Sequence, residues 1–435
     1  MSMKRLLLFS ALLALAACGG SADLTVAEGT GPTPTIPEPS GGLIPTINFA
    51  TAVGWPGGKT PEAIAGAEVQ AFASGLDHPR WMHVLPNGDV LVAETNKPPN
   101  PDPPGGIKAI VQKSLMENAG ALAPSANRIT LLRDTDGDGV ADVRTPFLTG
   151  LSSPFGMQLV GEDLYVAFYN ALVRFPYTPG ATTLVGTPGE TVLELPNMLG
   201  ARHWTKSLLA SPDGSKLYIG VGSASNVGEM GLAAENGRAA VWEYDVASGE
   251  GRVYASGLRN PVGLAWEPTT GALWTAVNER DELGSDVPPD YMTRVRDGDF
   301  YGWPWLYYGD VVDTRAPGAP PQPTALKPDY ALGPHTASLG LAWGADALGL
   351  GEGMFVGQHG SWNRKPASGY KVIFVPFANG MPSGQPTDVL TGFRVGDDAR
   401  GRPVGVEIAK DGALLVADDV GNIIWRVSSP YDAAR

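Results

Sequence analysis

From residue 70 onward, short runs of alternating apolar residues recur, three of the six behind a Gly-Leu-x-x-Pro opening and a polar turn. Gly75–Pro79 leads through Pro86-Asn87-Gly88-Asp89 into Val90-Leu91-Val92-Ala93-Glu94, and Gly150–Pro154 leads past Gly161 into Leu164-Tyr165-Val166-Ala167. The phrase returns at His203-Trp204 with Asp213-Gly214, at Gly257–Pro261 with Thr270-Gly271, at Leu339–Trp343 with Gly353, and at Arg402–Gly405 with Asp411-Gly412. Asx-Gly turns between alternating runs are a strong hairpin signal, because the tight turn needs positive φ. Hairpins repeated every roughly 50 to 80 residues, with no helical pattern between them, predict a β-propeller. Six passes imply an all-β, six-bladed β-propeller with four-stranded antiparallel blades. A seventh blade stays open, because residues 97–127 and 300–335 are insertions whose strands the pattern does not count. Blade starts surround the channel of such a ring, so chemistry is expected there.

Upstream the pattern changes. Lys4-Arg5 precede an apolar run from Leu6 to Ala17, long enough for a signal peptide and too short to span a bilayer. The run ends Leu15-Ala16-Ala17-Cys18-Gly19, which resembles a bacterial lipobox, so Cys18, the single cysteine, is the expected lipidation site. The lipobox implies a lipid-anchored protein on the periplasmic side of the envelope, at the outer membrane. Residues 20 to about 60 are rich in Gly, Pro, Thr and Ser, a composition expected of an extended tether. The chain therefore divides into a signal peptide (1–17), a lipidated cysteine with its tether (18–65) and a single propeller domain (66–435). Gly 57 and Pro 39 make about a fifth of the 435 residues, which suits a turn-rich fold and excludes a helical bundle. A net charge of −14 without any basic run argues against a nucleic-acid partner.

Two constellations carry candidate chemistry. Asp134, Asp136, Asp138 and Asp142 occupy positions 1, 3, 5 and 9 of a loop with Gly139 at position 6, the oxygen spacing that suits a calcium ion. Position 12 holds Thr145 instead of a bidentate glutamate, so the loop is no complete EF-hand, and a structural clamp is its expected role. The second constellation lies at the blade starts. Of five histidines, four sit at or just before a blade start, and His203 in Ala201-Arg202-His203-Trp204-Thr205 is the best placed. Arg259-Asn260 take the same phase in the next blade, and Arg400-Gly401-Arg402 in the last. Cations converging on one channel call either for an anionic guest or for salt bridges to Glu94, Glu279 or Asp281. On spacing the two stand level.

These residues resemble the soluble sugar dehydrogenases that depend on pyrroloquinoline quinone (PQQ), and within them the sorbosone dehydrogenase branch. The resemblance spans roughly residues 70–428. It rests on His203-Trp204-Thr205, Gly257-Leu258-Arg259-Asn260-Pro261, Asn278-Glu279-Arg280-Asp281, Tyr301-Gly302-Trp303-Pro304, His359-Gly360-Ser361-Trp362-Asn363-Arg364 and Gly401-Arg402-Pro403-Val404-Gly405, in that order. It implies a six-bladed propeller holding PQQ over the channel with Ca2+ beside it, and oxidation of an aldose, sorbosone or related sugar or polyol by hydride transfer to the quinone. His203 would be the general base, and Arg259 with Asn260 would stabilise the developing oxyanion. Arg400 and Arg402 would hold the cofactor carboxylates. Asn278 falls in the segment where relatives have Gln-Gly-Pro around the cofactor calcium, and Arg364 stands in for the family's cofactor lysine. The electron acceptor is left open.

Two other classes fit part of the pattern. A calcium-dependent lactonase on a propeller would need Asn226, Asn260 and Glu94 around a channel metal, and has no use for the pair Arg400 and Arg402. A non-catalytic propeller lipoprotein rests on fold analogy alone.

Overall fold

The computed structural model describes residues 20–40, 46–100, 107–321 and 324–430. The signal segment and Cys18 lie outside the described residues. Among these, six antiparallel sheets have four or more strands, and each begins with an inner strand. The inner strands are Pro79–Val84, Met157–Val160, Lys206–Ala210, Pro261–Glu267, Ser338–Trp343 and Pro403–Ile408. Each touches the next, and the last touches the first, so the sheets close into a propeller. The sixth sheet is completed by Glu68–Ser74 pairing with Ile423–Ser428, which joins the two ends of the folded chain.

The alternating apolar positions of each strand fill the spaces between neighbouring sheets. Trp81, Leu91, Phe155, Leu164 and Phe175 pack between the first two, and Trp274, Leu341, Met354 and Ile373 between the fourth and fifth. Near the axis the inner strands come too close for ordinary side chains. A Cβ on Gly156, Gly263, Gly340 or Gly405 would lie less than 3.0 Å from an atom of the adjacent inner strand. The four inner strands that begin with Pro or Ser also open with a register shift, after Pro79, Pro261, Ser338 or Pro403. Such bulges bend a strand and re-aim the side chains beside them.

The two insertions differ from an uninterrupted β pattern. Residues 97–127 contain the helix Ile107–Asn118. Residues 300–335 hold the short hairpin of Leu306–Tyr307 with Val311–Val312, followed by Tyr330–Pro334, the fourth strand of the fourth sheet.

The expected tether is corrected. Among residues 20–65, Thr30–Gly31 adds to the edge of the fourth sheet, Thr51–Ala52 pairs with Asp398–Ala399, and Glu62–Ala63 adds to the fifth. Trp55 packs edge-on against Phe393 and Trp425, and its indole N–H donates to Asp418 at 2.7 Å. The segment is a strap on the body, and its edge pairings cover strand edges that would otherwise lie open. Composition misleads here because the strap contributes mainly backbone groups, which glycine and proline neighbours do not weaken.

Two measurements check the strap. Trp55→Ala should lower unfolding free energy by about 2–4 kcal/mol, through lost ring packing and a lost donor to a buried carboxylate. Limited proteolysis of the native protein should spare residues 46–65; rapid cleavage there would restore the tether.

Candidate functional site

The loops that precede the inner strands and those that follow each second strand gather on one face, where they enclose a cavity of about 180 Å³. His203, Arg259, Asn278 and Arg402 all line it, together with Arg202, Asp281, His335 and His359.

His203 is half-buried, with Nδ1 3.0 Å from both the carbonyl oxygen and Oγ of Ser223. A carbonyl only accepts, so Nδ1 carries the proton and Nε2 offers a lone pair. Burial, reinforced by Arg259 and Arg202, pushes this imidazole well below its ordinary value, so it is neutral at pH 7. Gly222 makes the placement possible, since a Cβ there would collide with both His203 and Asn260.

Arg259 is fully buried and saturated by the chain itself. It donates to Asn226 O and Oδ1, to Asn278 O and Oδ1, to Glu279 O, and to Asp281 Oδ2 at 3.1 Å. Arg202, at the rim, shares the same carboxylate at 3.1 Å. Arg402 differs. Its guanidinium lies over the Tyr370 ring at 5.1 Å and donates to Tyr370 Oη at 2.7 Å, and Nε is buried without a partner. Among the described residues no carboxylate lies within 4.0 Å of the guanidinium, though the Arg402 backbone N–H donates to Asp418 at 2.8 Å. The two readings of the arginines therefore divide: Arg259 and Arg202 share an acid of the channel, and the Arg402 guanidinium pairs with Tyr370 instead.

Three expected site residues stand elsewhere. Asn260 is buried behind His203 and does not line the cavity; its backbone carbonyl accepts from Asn278 N. Arg400 is half-buried and does not line it either. Arg364 is corrected most clearly: buried outside the cavity, it donates to Leu24 O and Pro366 O and sits 3.6 Å from Asp286, stapling the strap. Glu94 is also remote from the cavity, hydrogen-bonded to Arg128 and Thr130.

Sequence reasoning gave one residue of the site only to the lactonase reading, as a metal ligand, and missed another. Asn226 binds Arg259 and, through Oδ1 and Nδ2, Asp281. Asp419 accepts from Arg80 and His359. Asp419 follows a second strand in the phase that Asn278 holds in the fourth sheet, so a search of strand ends as well as blade starts would have found it.

Burial pushes Glu279 up to about 7 and Asp290 up to about 6. With Glu279 partly protonated and Asp281 shared, the cavity is cationic, a donor set that fits a polycarboxylate.

Away from the cavity, in the turn between the third and fourth strands of the first sheet, oxygens of Asp134, Asp136 and Asp138 lie within 4.8 Å of one another. Asp142, expected as the fourth ligand, is turned instead onto Thr135 N and Oγ1 at 2.7 and 2.8 Å.

A family model described as TrAA12-like matches residues 122–294 and 319–429. A pyrroloquinoline quinone-dependent pyranose dehydrogenase of Coprinopsis cinerea is 27% identical over 88% of this chain and 57% of its own. A pyrroloquinoline quinone-dependent sugar dehydrogenase of Hypocrea jecorina is 25% identical over 53% of this chain and 50% of its own. The chain thus spans between half and three-fifths of the length of these curated relatives. Among solved structures, a Trichoderma reesei protein of Carbohydrate-Active Enzymes family AA12 aligns with TM-score 0.68 at 19% identity, covering 85% of this chain and 98% of that one. The PQQ domain of the Coprinopsis cinerea pyranose dehydrogenase aligns with TM-score 0.65 at 22% identity, covering 86% and 100%.

Glu279 provides a test of the cavity's electrostatics. A carboxyl raised to about 7 in the folded state contributes stability that is full below its unfolded value and lost as pH rises through 7. Glu279→Gln should therefore gain on the wild type by roughly 2–3 kcal/mol between pH 5 and pH 8 in chemical denaturation. A difference that stays constant with pH would show an ordinary carboxylate.

Proposed function

Since the chain belongs to the TrAA12-like family, we propose that it oxidises a sugar, an aldose, sorbosone or a related compound, with PQQ bound in the cavity on a six-bladed propeller. The observation that carries the reading is His203: a neutral imidazole with a free Nε2, beside a cationic wall. PQQ, when bound, supplies the electrophilic quinone that takes a hydride. Arg402 would hold one of its carboxylates, with Arg202 at the rim and the Asn278 amide alongside. His203 Nε2 takes the substrate hydroxyl proton as the hydride leaves carbon, and Arg259, fixed by Asn226 and Asp281, keeps positive charge where negative charge develops. Because the guanidinium is already fixed by its protein acceptors, its charge is in place when that negative charge appears. Asn260 then acts from behind His203, as packing. The lactonase reading lacks its ligand set, since Glu94 and Asn260 both lie outside the cavity.

Ca2+ enters the same proposal at two places. A calcium structure exists for a Trichoderma reesei relative of the same fold. Beside PQQ the ion would serve as a Lewis acid. At Asp134, Asp136 and Asp138 it would clamp a turn. Lipidation at Cys18 is supported by the Leu15–Cys18 pattern, with localisation at the periplasmic side of the outer membrane. Gly20 accepts from Thr46 Oγ1 and Ser285 Oγ on the cavity face, so an anchor two residues away would turn that face toward the membrane.

The decisive experiment loads the protein with PQQ and Ca2+ and follows cofactor absorbance by stopped flow after sugar is added. The wild type should be reduced, and His203→Ala should slow that step by about 10²–10⁴-fold while binding PQQ normally. An unchanged rate in the variant would remove His203 as the base. For the calcium loop, a chelator should lower the melting temperature of the wild type, whose bound ion at 100 times its Kd contributes about 2.7 kcal/mol. Asp136→Ala should melt low with or without chelator, and indifference to chelator in the wild type would leave the loop a solvated turn.

A further inference from the structure

The cavity contains a second histidine presented as carefully as the first. We propose that His359, oriented by Asp419, is a second proton acceptor of the site, serving the oxidative half of the cycle while His203 serves the reductive half. This rests on the reading of the protein as a sugar dehydrogenase.

The stoichiometry asks for two acceptors. Oxidising an alcohol carbon to a carbonyl releases two electrons and two protons. One proton leaves the substrate hydroxyl directly and goes to His203. The other travels with the electron pair as hydride, and is set free inside the cavity when the electrons pass singly to an external one-electron oxidant. With one base in the cavity, that base would have to be emptied before it could take the second proton.

His359 meets the geometric requirement. It follows the second strand of the fifth sheet and lines the cavity. Its Nε2 lies 2.9 Å from Asp419 Oδ2. Burial opposes ionisation of Asp419, but His359, Arg80 and His78 outweigh it and hold the acid far below the ordinary range. A carboxylate only accepts, so Nε2 of His359 carries the proton and Nδ1 presents a lone pair. Among the described residues Nδ1 has no hydrogen-bond partner, and the side chain is 17% exposed. The two imidazoles thus face one cavity in opposite tautomers.

A structural role alone does not account for Asp419. Its charge is already matched by Arg80, yet the same Oδ2 also receives His359 and stands 3.7 Å from His78 Nε2, with Oδ1 left bare. Burial is what chiefly discourages the imidazolium of His359 at rest; of the charged groups that bear on it, Asp419 supports it once formed, and Arg402 and Arg80 oppose it more weakly. His335, the third histidine of the cavity, is not equivalent. Its Nε2 is engaged by Gly284 O and its Nδ1 faces Asp281 at 4.0 Å, with 3% of the side chain exposed.

The test separates the half-reactions in the PQQ-loaded full-length chain. Reduction by sugar is followed first, and reoxidation by a soluble one-electron dye second. In His359→Gln reoxidation should slow about 100-fold while reduction slows less than about tenfold, and imidazole added to the buffer should recover part of the loss. Asp419→Asn should show the same split, since it removes the acid that fixes the His359 tautomer, along with the partner of Arg80. A second readout needs no cofactor: 15N chemical shifts of the apo protein at pH 7 should show His359 protonated at Nε2 alone. Protonation at Nδ1, or equal slowing of both half-reactions, overturns the assignment and leaves His203 untouched. A wild type that no sugar reduces overturns the functional reading, and this assignment with it.

Discussion

Everything on the cavity face depends on how closely six inner strands can meet around one axis. Side chains would hold them apart, and the chain resolves the crowding with Gly156, Gly263, Gly340 and Gly405, each set against the neighbouring inner strand. Where glycine is missing, aromatic packing takes over: Trp81 lies 4.7 Å from Phe155 across the first two sheets. The closure has a chemical consequence. Strands drawn tight at the axis bring their preceding loops within reach of one another, so residues as distant in sequence as His203, Asp281, His359 and Arg402 share one cavity.

The cavity's charge follows from what the loops then have to satisfy. Arg259 could not remain ionised and fully buried without acceptors, and the loops at 226 and 278–281 supply them from backbone carbonyls, two amides and one carboxylate. Backbone carbonyls stabilise a guanidinium without neutralising it. Positive potential therefore survives in the cavity, where a set of matched ion pairs would have cancelled it. The neutral histidines follow chiefly from burial, to which the nearby arginines add, so both His203 and His359 rest as acceptors.

The hairpin rhythm made the sheets, their order and the placement of His203, Arg259 and Arg402 legible, because alternation and Asx-Gly turns are local properties. What escaped was decided by long-range contacts. Arg364 looked like a cofactor ligand from its neighbours His359 and Trp362, and only the fold shows it bound to Leu24, 340 residues away. Asp142 kept the right spacing for a cation but found a nearer donor in Thr135, because a short loop lets an Asx-type hydrogen bond compete with a distant metal position. Asp419 was overlooked because attention went to residues before inner strands. Loops after second strands open on the same face, by the antiparallel alternation itself.

The strap shows why a low-complexity segment can be indispensable without looking so. Its bonds to the body run largely through backbone atoms: Ala22 N to Lys365 O, Asn48 N to Trp362 O, and Asn363 Nδ2 to Thr46 O. Irregular loops carry unpaired backbone groups that must be satisfied when buried, and two irregular segments can satisfy each other without any residue pattern. Asn363 concentrates the effect. Buried, it donates to the strap at Thr46 and accepts from Glu282 N at 2.6 Å, so one amide ties the loop bearing His359 to the loop bearing Asp281. Those loops supply opposed chemistry, a proton acceptor and the carboxylate that fixes Arg259, and neither belongs to a strand that would hold it still. The strap bonds to the amide that links them, which joins a segment composed like a linker to the site's geometry.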